Sequence, residues 1–127
     1  MGVCDLKWQI RSEIAWQTKS NVLTIAQTPS LAAAAAKADA GELLTTVETV
    51  QFRNQQVAMH RSWENVHYQY RNGLYDEAEF ASHKKVWAVI MNGKPARLSF
   101  WCERRQTYSP EYRAELEGML EDLDCNE

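Results

Sequence analysis

Apolar residues recur at the three-and-four spacing of an α-helix through most of this chain. From Leu6 the stripe passes through Ile10, Ile14, Val22 and Ile25, with Trp8, Ala15 and Ala26 alongside, and predicts a helix over residues 5–27. Pro29 stops it, Ser30 caps a short alanine-rich helix to about residue 38, and Gly41 closes that piece. Thr45, followed three residues later by Glu48, matches a capping box and opens a helix that continues to Arg71 without Gly or Pro. Along about seven turns, Phe52, Met59, Trp63, Val66 and Tyr70 line one side, while Val47, Val50, Val57, Arg61, Glu64 and Tyr68 line another. A helix with two usable faces belongs at the centre of a bundle.

Asp76 with Glu79 forms a second capping box, and Phe80, Lys84, Trp87 and Met91 continue that helix to the stop at Asn92 and Gly93. Pro95 fits the first turn of the next helix, which carries Leu98, Trp101 and Tyr108. Ser109, Pro110 and Glu111 read as cap, first turn and dipole-matched acid of a last helix with a stripe of Tyr112, Leu116, Met119, Leu120 and Leu123. No alternating run of β-branched residues predicts a strand. The fold class is therefore all-α, an up-and-down antiparallel helical bundle of about five to six helices around one long central helix. The whole span, residues 1–127, reads as a single helical domain.

Composition agrees with a packed globule: 45% hydrophobic, 24% charged, with 5 Gly, 3 Pro and 5 Trp. The net charge of −3 argues against a surface devoted to phosphate neutralisation. Its distribution is uneven, with a net charge of +3 over residues 94–113, followed by six acids and no base over 114–127. Cys4, Cys102 and Cys125 are too few for a disulfide framework and form no CxxC pair, so a reducing, cytoplasmic setting is expected. Cys102 reads as a small packing residue, and Cys4 and Cys125 as dispensable. The uncharged stretch from Ser20 to Ala36 is interrupted by polar residues and Pro29, so no transmembrane segment is expected.

Two patterns suggest chemistry. His60, Glu64 and His67 share a helical face, and Glu64 with His67 has the ExxH spacing of di-iron bundles. A complete site needs a second ExxH, whereas His83 stands ExxxH from Glu79, so neither a metal nor another cofactor is expected. Arg97, Trp101, Arg104, Arg105 and Tyr108 form a basic and aromatic stripe of the kind that stacks on single strands. The acidic tail and the acidic net charge favour internal pairing over nucleic acid. No phosphate loop, GxSxG or GxGxxG occurs.

Glu64, Asn65, Tyr68, Gln69, Tyr70, Arg71, Gly73, Leu74 and Asp76, then Trp87, Pro95, Arg97, Trp101 and the run from Tyr108 to Arg113, form one ordered pattern. Over about residues 45–115 the chain resembles a widespread group of bacterial proteins whose helical domain follows one N-terminal membrane helix. The resemblance implies architecture rather than an enzymatic activity. No membrane helix stands before Asp5, so a place at the membrane would require an anchor upstream of this sequence.

Glu64 in mid-helix needs a partner, and Arg97 or Arg53 is the expected one. Glu64, Arg97, Trp101, Arg104 and Tyr108 are the candidate binding residues, either pinning helices together or lining a cleft for a peptide or small ligand. The expected role is a non-enzymatic module that binds an as yet unidentified protein partner, through a helix face or the surface of residues 97–108. The alternative is a metal-dependent or small-ligand enzyme using His60, Glu64 and His67.

Overall fold

A computed structural model describes residues 2–126, apart from the side chain of Val3. Six α-helices follow in order: α1 (Val3–Gln27), α2 (Pro29–Asp39), α3 (Thr46–Arg71), α4 (Glu77–Met91), α5 (Pro95–Arg104) and α6 (Pro110–Glu117), with a 3₁₀ turn at Arg105–Thr107. Among the described residues there is no strand. The all-α bundle read from the sequence is the fold observed. The long helix α3 is its axis, touching α1, α2, α4, α5 and α6.

The boundaries follow local chemistry. Thr45 and Glu48 exchange both capping-box bonds, Thr45 Oγ1 accepting from the Glu48 N–H at 3.1 Å and Glu48 Oε1 from the Thr45 N–H at 2.9 Å. At the other end of α3, Leu74 N–H donates to the Gln69 carbonyl and Gly73 N–H to that of Tyr70. This closure requires a left-handed residue, and Gly73 supplies it at φ +74°. Asp76 and Ser109 cap α4 and α6 through their side chains.

Three boundaries differ from the sequence reading. Thr28, not Ser30, precedes α2, because Pro29 itself occupies the first turn. The helix from Pro95 ends at Arg104, and a 3₁₀ turn sets Tyr108 in extended backbone. The last helix stops at Glu117, so Met119, Leu120 and Leu123 reach the core from a non-helical return segment rather than from a continuous stripe.

That return segment overturns the expectation of unpaired thiols. It crosses α5 and brings Cys125 to Cys102, with the Cα atoms 5.2 Å apart and the sulfurs bonded. Cys102 is thus a cross-link rather than a packing residue, and Cys4 is exposed and unbonded. The cysteine count could not show this, since the pairing depends on where α6 ends.

Ile14 of α1, Trp63 and Val66 of α3, Phe80, Trp87 and Met91 of α4, Trp101 of α5, Tyr108, and Tyr112 and Leu116 of α6 form one core. Trp63 and Trp87 stack with ring centroids 5.0 Å apart. The inward face of α3 also carries Gln56, His60 and His67, all buried. Val47, Val50 and Tyr68, expected on a second packing face, are more than half exposed. The axis helix buries a wide single face with polar groups in it instead of two apolar ones.

Candidate functional site

Most of the candidate binding residues hold the bundle together. Glu64 accepts from Arg61 Nη1 at 3.0 Å and from the Ser109 N–H at 2.7 Å, so its carboxylate fixes the entry to α6. Arg61 also donates to the Thr107 carbonyl at 3.3 Å and lies 4.2 Å from the centroid of Tyr108. The partner of Glu64 is therefore Arg61, not Arg97 or Arg53. Arg97 makes a bidentate pair with Asp39 at 2.9 and 3.1 Å, tying α5 to α2, and Arg53 pairs with Glu103 at 2.9 Å.

Trp101 is completely buried, and its indole N–H donates to Glu117 Oε2 at 2.9 Å. Arg105 grips the same carboxylate with two bonds of 2.6 Å, which holds Glu117 below its ordinary pKa. Tyr108 is buried beside Trp101, with ring centroids 5.4 Å apart. Of the five candidates only Arg104 stands on an exposed surface. The aromatic members of the stripe, Trp101 and Tyr108, lie in the interior, in keeping with internal pairing, whereas Arg104 stays outside.

The helical face of His60, Glu64 and His67 is likewise divided. His60 is fully buried, with Nδ1 2.7 Å from the Tyr112 hydroxyl and the rings of Trp63, Phe100, Trp101 and Tyr108 around it. Burial, and then the nearby charges of Arg97 and Arg61, push its pKa down to about 3. His67 stacks on Phe80 and points Nε2 at Glu115 Oε1, 3.6 Å away, and burial lowers its pKa as well. Glu64 turns the other way, to Ser109. No three His, Cys, Asp or Glu side chains converge among the described residues in a way that could hold a metal ion.

The open surface lies elsewhere. The first helix turns Ile14 into the core and Ile10 partly into it, yet Trp8, Trp16 and Val22 remain 67%, 70% and 61% exposed. Between α1 and α4 runs a groove of about 590 Å³, with Trp8, Ala15, Val22 and Leu23 on one wall and Tyr75, Glu79 and His83 on the other. Arg11 bridges the walls to Glu79 at 2.6 Å. Tyr75 and His83 are hydrogen-bonded at 2.8 Å. Burial and then the Glu79 carboxylate push the Tyr75 pKa to about 12, and burial lowers that of His83, so both are neutral near pH 7.

Apolar walls with neutral Tyr75 and His83, one ion pair and the charged Lys19 make a surface suited to docking. The sequence reading passed over this groove because it assigned the apolar residues of α1 to the core. A signal was present: Trp8, Ala15 and Val22 repeat at seven residues and stand off the stripe of Ile10, Ile14 and Ile25. Among the described residues no helix is long and apolar enough to cross a membrane. Compared with known proteins, the chain matches no family model, no curated protein and no solved structure.

Proposed function

We propose that this chain is a non-enzymatic helical module that binds a partner protein in the groove between α1 and α4. The observation that carries the reading is the second apolar face of α1, where Trp8 and Val22 stay open to water along the wall of a formed groove. Large aromatics left exposed next to a concavity are the anchors around which interfaces are built. The catalytic alternative is weaker, since His60 and His67 are enclosed by the core and Glu64 is bonded to Arg61 and Ser109.

Mild crosslinking and affinity capture of the tagged chain at native level, read by mass spectrometry, tests the proposal. A near-stoichiometric partner lost on Trp8→Ala with Val22→Asp, but kept on Arg104→Glu, is the expected result. A partner lost only on Arg104→Glu would move the interface to the α5 surface. Absence of any partner would remove the interaction reading.

A further inference from the structure

The outward ridge of α1 carries a two-fold pattern. Asp5, Trp8, Ser12, Trp16 and Lys19 follow one another at intervals of three, four, four and three residues. At about 100° per residue, all five lie within roughly 40° of one direction around the helix. Ile10, Ile14 and Ile25, which turn towards the bundle, stand on the opposite side. The five are exposed, Trp8 by 67% and Trp16 by 70%, and Trp16 lies outside the groove. None of the ion pairs among the described residues engages Asp5 or Lys19. The other charged residues of α1, Lys7, Arg11 and Glu13, point about 100° or more away from this ridge.

Resting on the docking reading above, because Trp8, Ser12 and Lys19 also line the groove, we infer that the partner protein is a second copy of this chain, joined through antiparallel α1 helices about a two-fold axis at Ser12. In that register Asp5 meets the second copy's Lys19 at each end, Trp8 lies beside the second copy's Trp16, and the two Ser12 residues face each other. A small side chain at the crossing lets the helix axes approach to about 8–10 Å. Parallel pairing would set acid against acid and base against base, so the charges select the direction. A tryptophan buries about 150–250 Å², so the four largely exposed rings supply roughly 400–700 Å² of the roughly 1,000 Å² at which specific interfaces begin. The helix surface between them adds the rest, which makes the pair a weak and concentration-dependent one.

Sedimentation equilibrium of the full chain from about 1 µM to about 1 mM tests this. A dimer at the upper end that dissociates on dilution is expected, and Trp8→Ala with Trp16→Ala should leave a monomer of unchanged circular dichroism. Asp5→Lys alone and Lys19→Asp alone should each weaken the pair by about tenfold or more at low ionic strength. The two changes in one chain should restore it, since each new base again meets a new acid. On oxidation, Ser12→Cys with Cys4→Ser should join two chains across the axis. The native Cys4 should not, because its two copies stand about 24 Å apart along the helices.

A chain that stays monomeric throughout this range would overturn the second copy, leaving the groove to an unlike protein that affinity capture identifies. A monomer with no captured partner would overturn both readings. A dimer indifferent to the tryptophan changes, or one joined through Cys4, would overturn the antiparallel α1 pair. A monomeric chain bound to vesicles of equal phosphatidylcholine and phosphatidylserine, and released by the tryptophan changes, would replace the second copy with a lipid surface.

Discussion

His60 on α3 and Tyr112 on α6 meet through Nδ1 and the phenol at 2.7 Å, fifty-two residues apart in sequence and both out of reach of water. Burial holds Tyr112 well above its ordinary pKa and His60 far below, so each is neutral when they bond. The pair joins the axis helix to the last one. Tyr112→Phe leaves the buried imidazole nitrogen without its partner and is expected to destabilise the fold by about 1–3 kcal/mol. Urea unfolding of Tyr112→Phe, His60→Leu and the double variant checks it, the double costing less than the sum of the two singles.

The same imidazole sets an acid limit. In the unfolded chain His60 binds a proton below its ordinary pKa of 6.5, whereas in the folded chain it resists protonation down to about 3. The unfolded state thus holds more protons throughout that window, and stability falls as the pH drops from about 6.5 towards 3, by up to about 1.4 kcal/mol per pH unit from this residue. His67 and His83, also lowered, add in the same direction. Urea midpoints between pH 7.5 and 4.5 should decline with a slope that His60→Leu reduces.

Glu117 serves two donors from α5 and the 3₁₀ turn, Trp101 and Arg105. Glu117→Ala is expected to cost about 1–3 kcal/mol, because the indole N–H of a fully buried Trp101 loses its acceptor. Glu117→Gln, which keeps an acceptor oxygen, should cost less. Its carboxylate contributes stability above its ordinary pKa and loses it as the pH falls through the lowered folded value. Thermal midpoints of both variants at neutral pH separate the hydrogen bond from the charge.

Cys102→Ser with Cys125→Ser removes the closure of a segment spanning 23 residues and is expected to cost about 3 kcal/mol under oxidising conditions, with reductant producing the same loss in the wild type. Cys4→Ser, at an exposed unbonded site, should stay within about 0.5 kcal/mol. Paired melting curves with and without reductant distinguish the two positions. Equal curves for the wild type and the double variant would show the cross-link to be without weight.

Particular residues show where sequence reasoning works here. Thr45, Glu48, Gly73 and Asp76 announce helix ends because capping depends on neighbours three or four positions away. The helical class and the axis role of α3 follow from the same local rules. Arg97 could not be assigned to Asp39, nor His60 to Tyr112, because those partners lie more than fifty residues off and the crossing of the helices decides which reaches which. Trp101 carried the same letter whether it anchored a core or an interface, and only its packing against His60 and Tyr112 settles the matter. The groove was half legible, since one apolar stripe of α1 was read and the second was merged with it.

The sulfur bond from Cys102 to Cys125 makes a covalent ring that contains all of α6 and the exposed turn around Arg104. A protease that cuts the backbone in that turn opens the ring but releases nothing, and both fragments travel as one molecule until a reductant separates them. For this chain, the integrity of the peptide backbone and the integrity of the particle are different properties between Cys102 and Cys125.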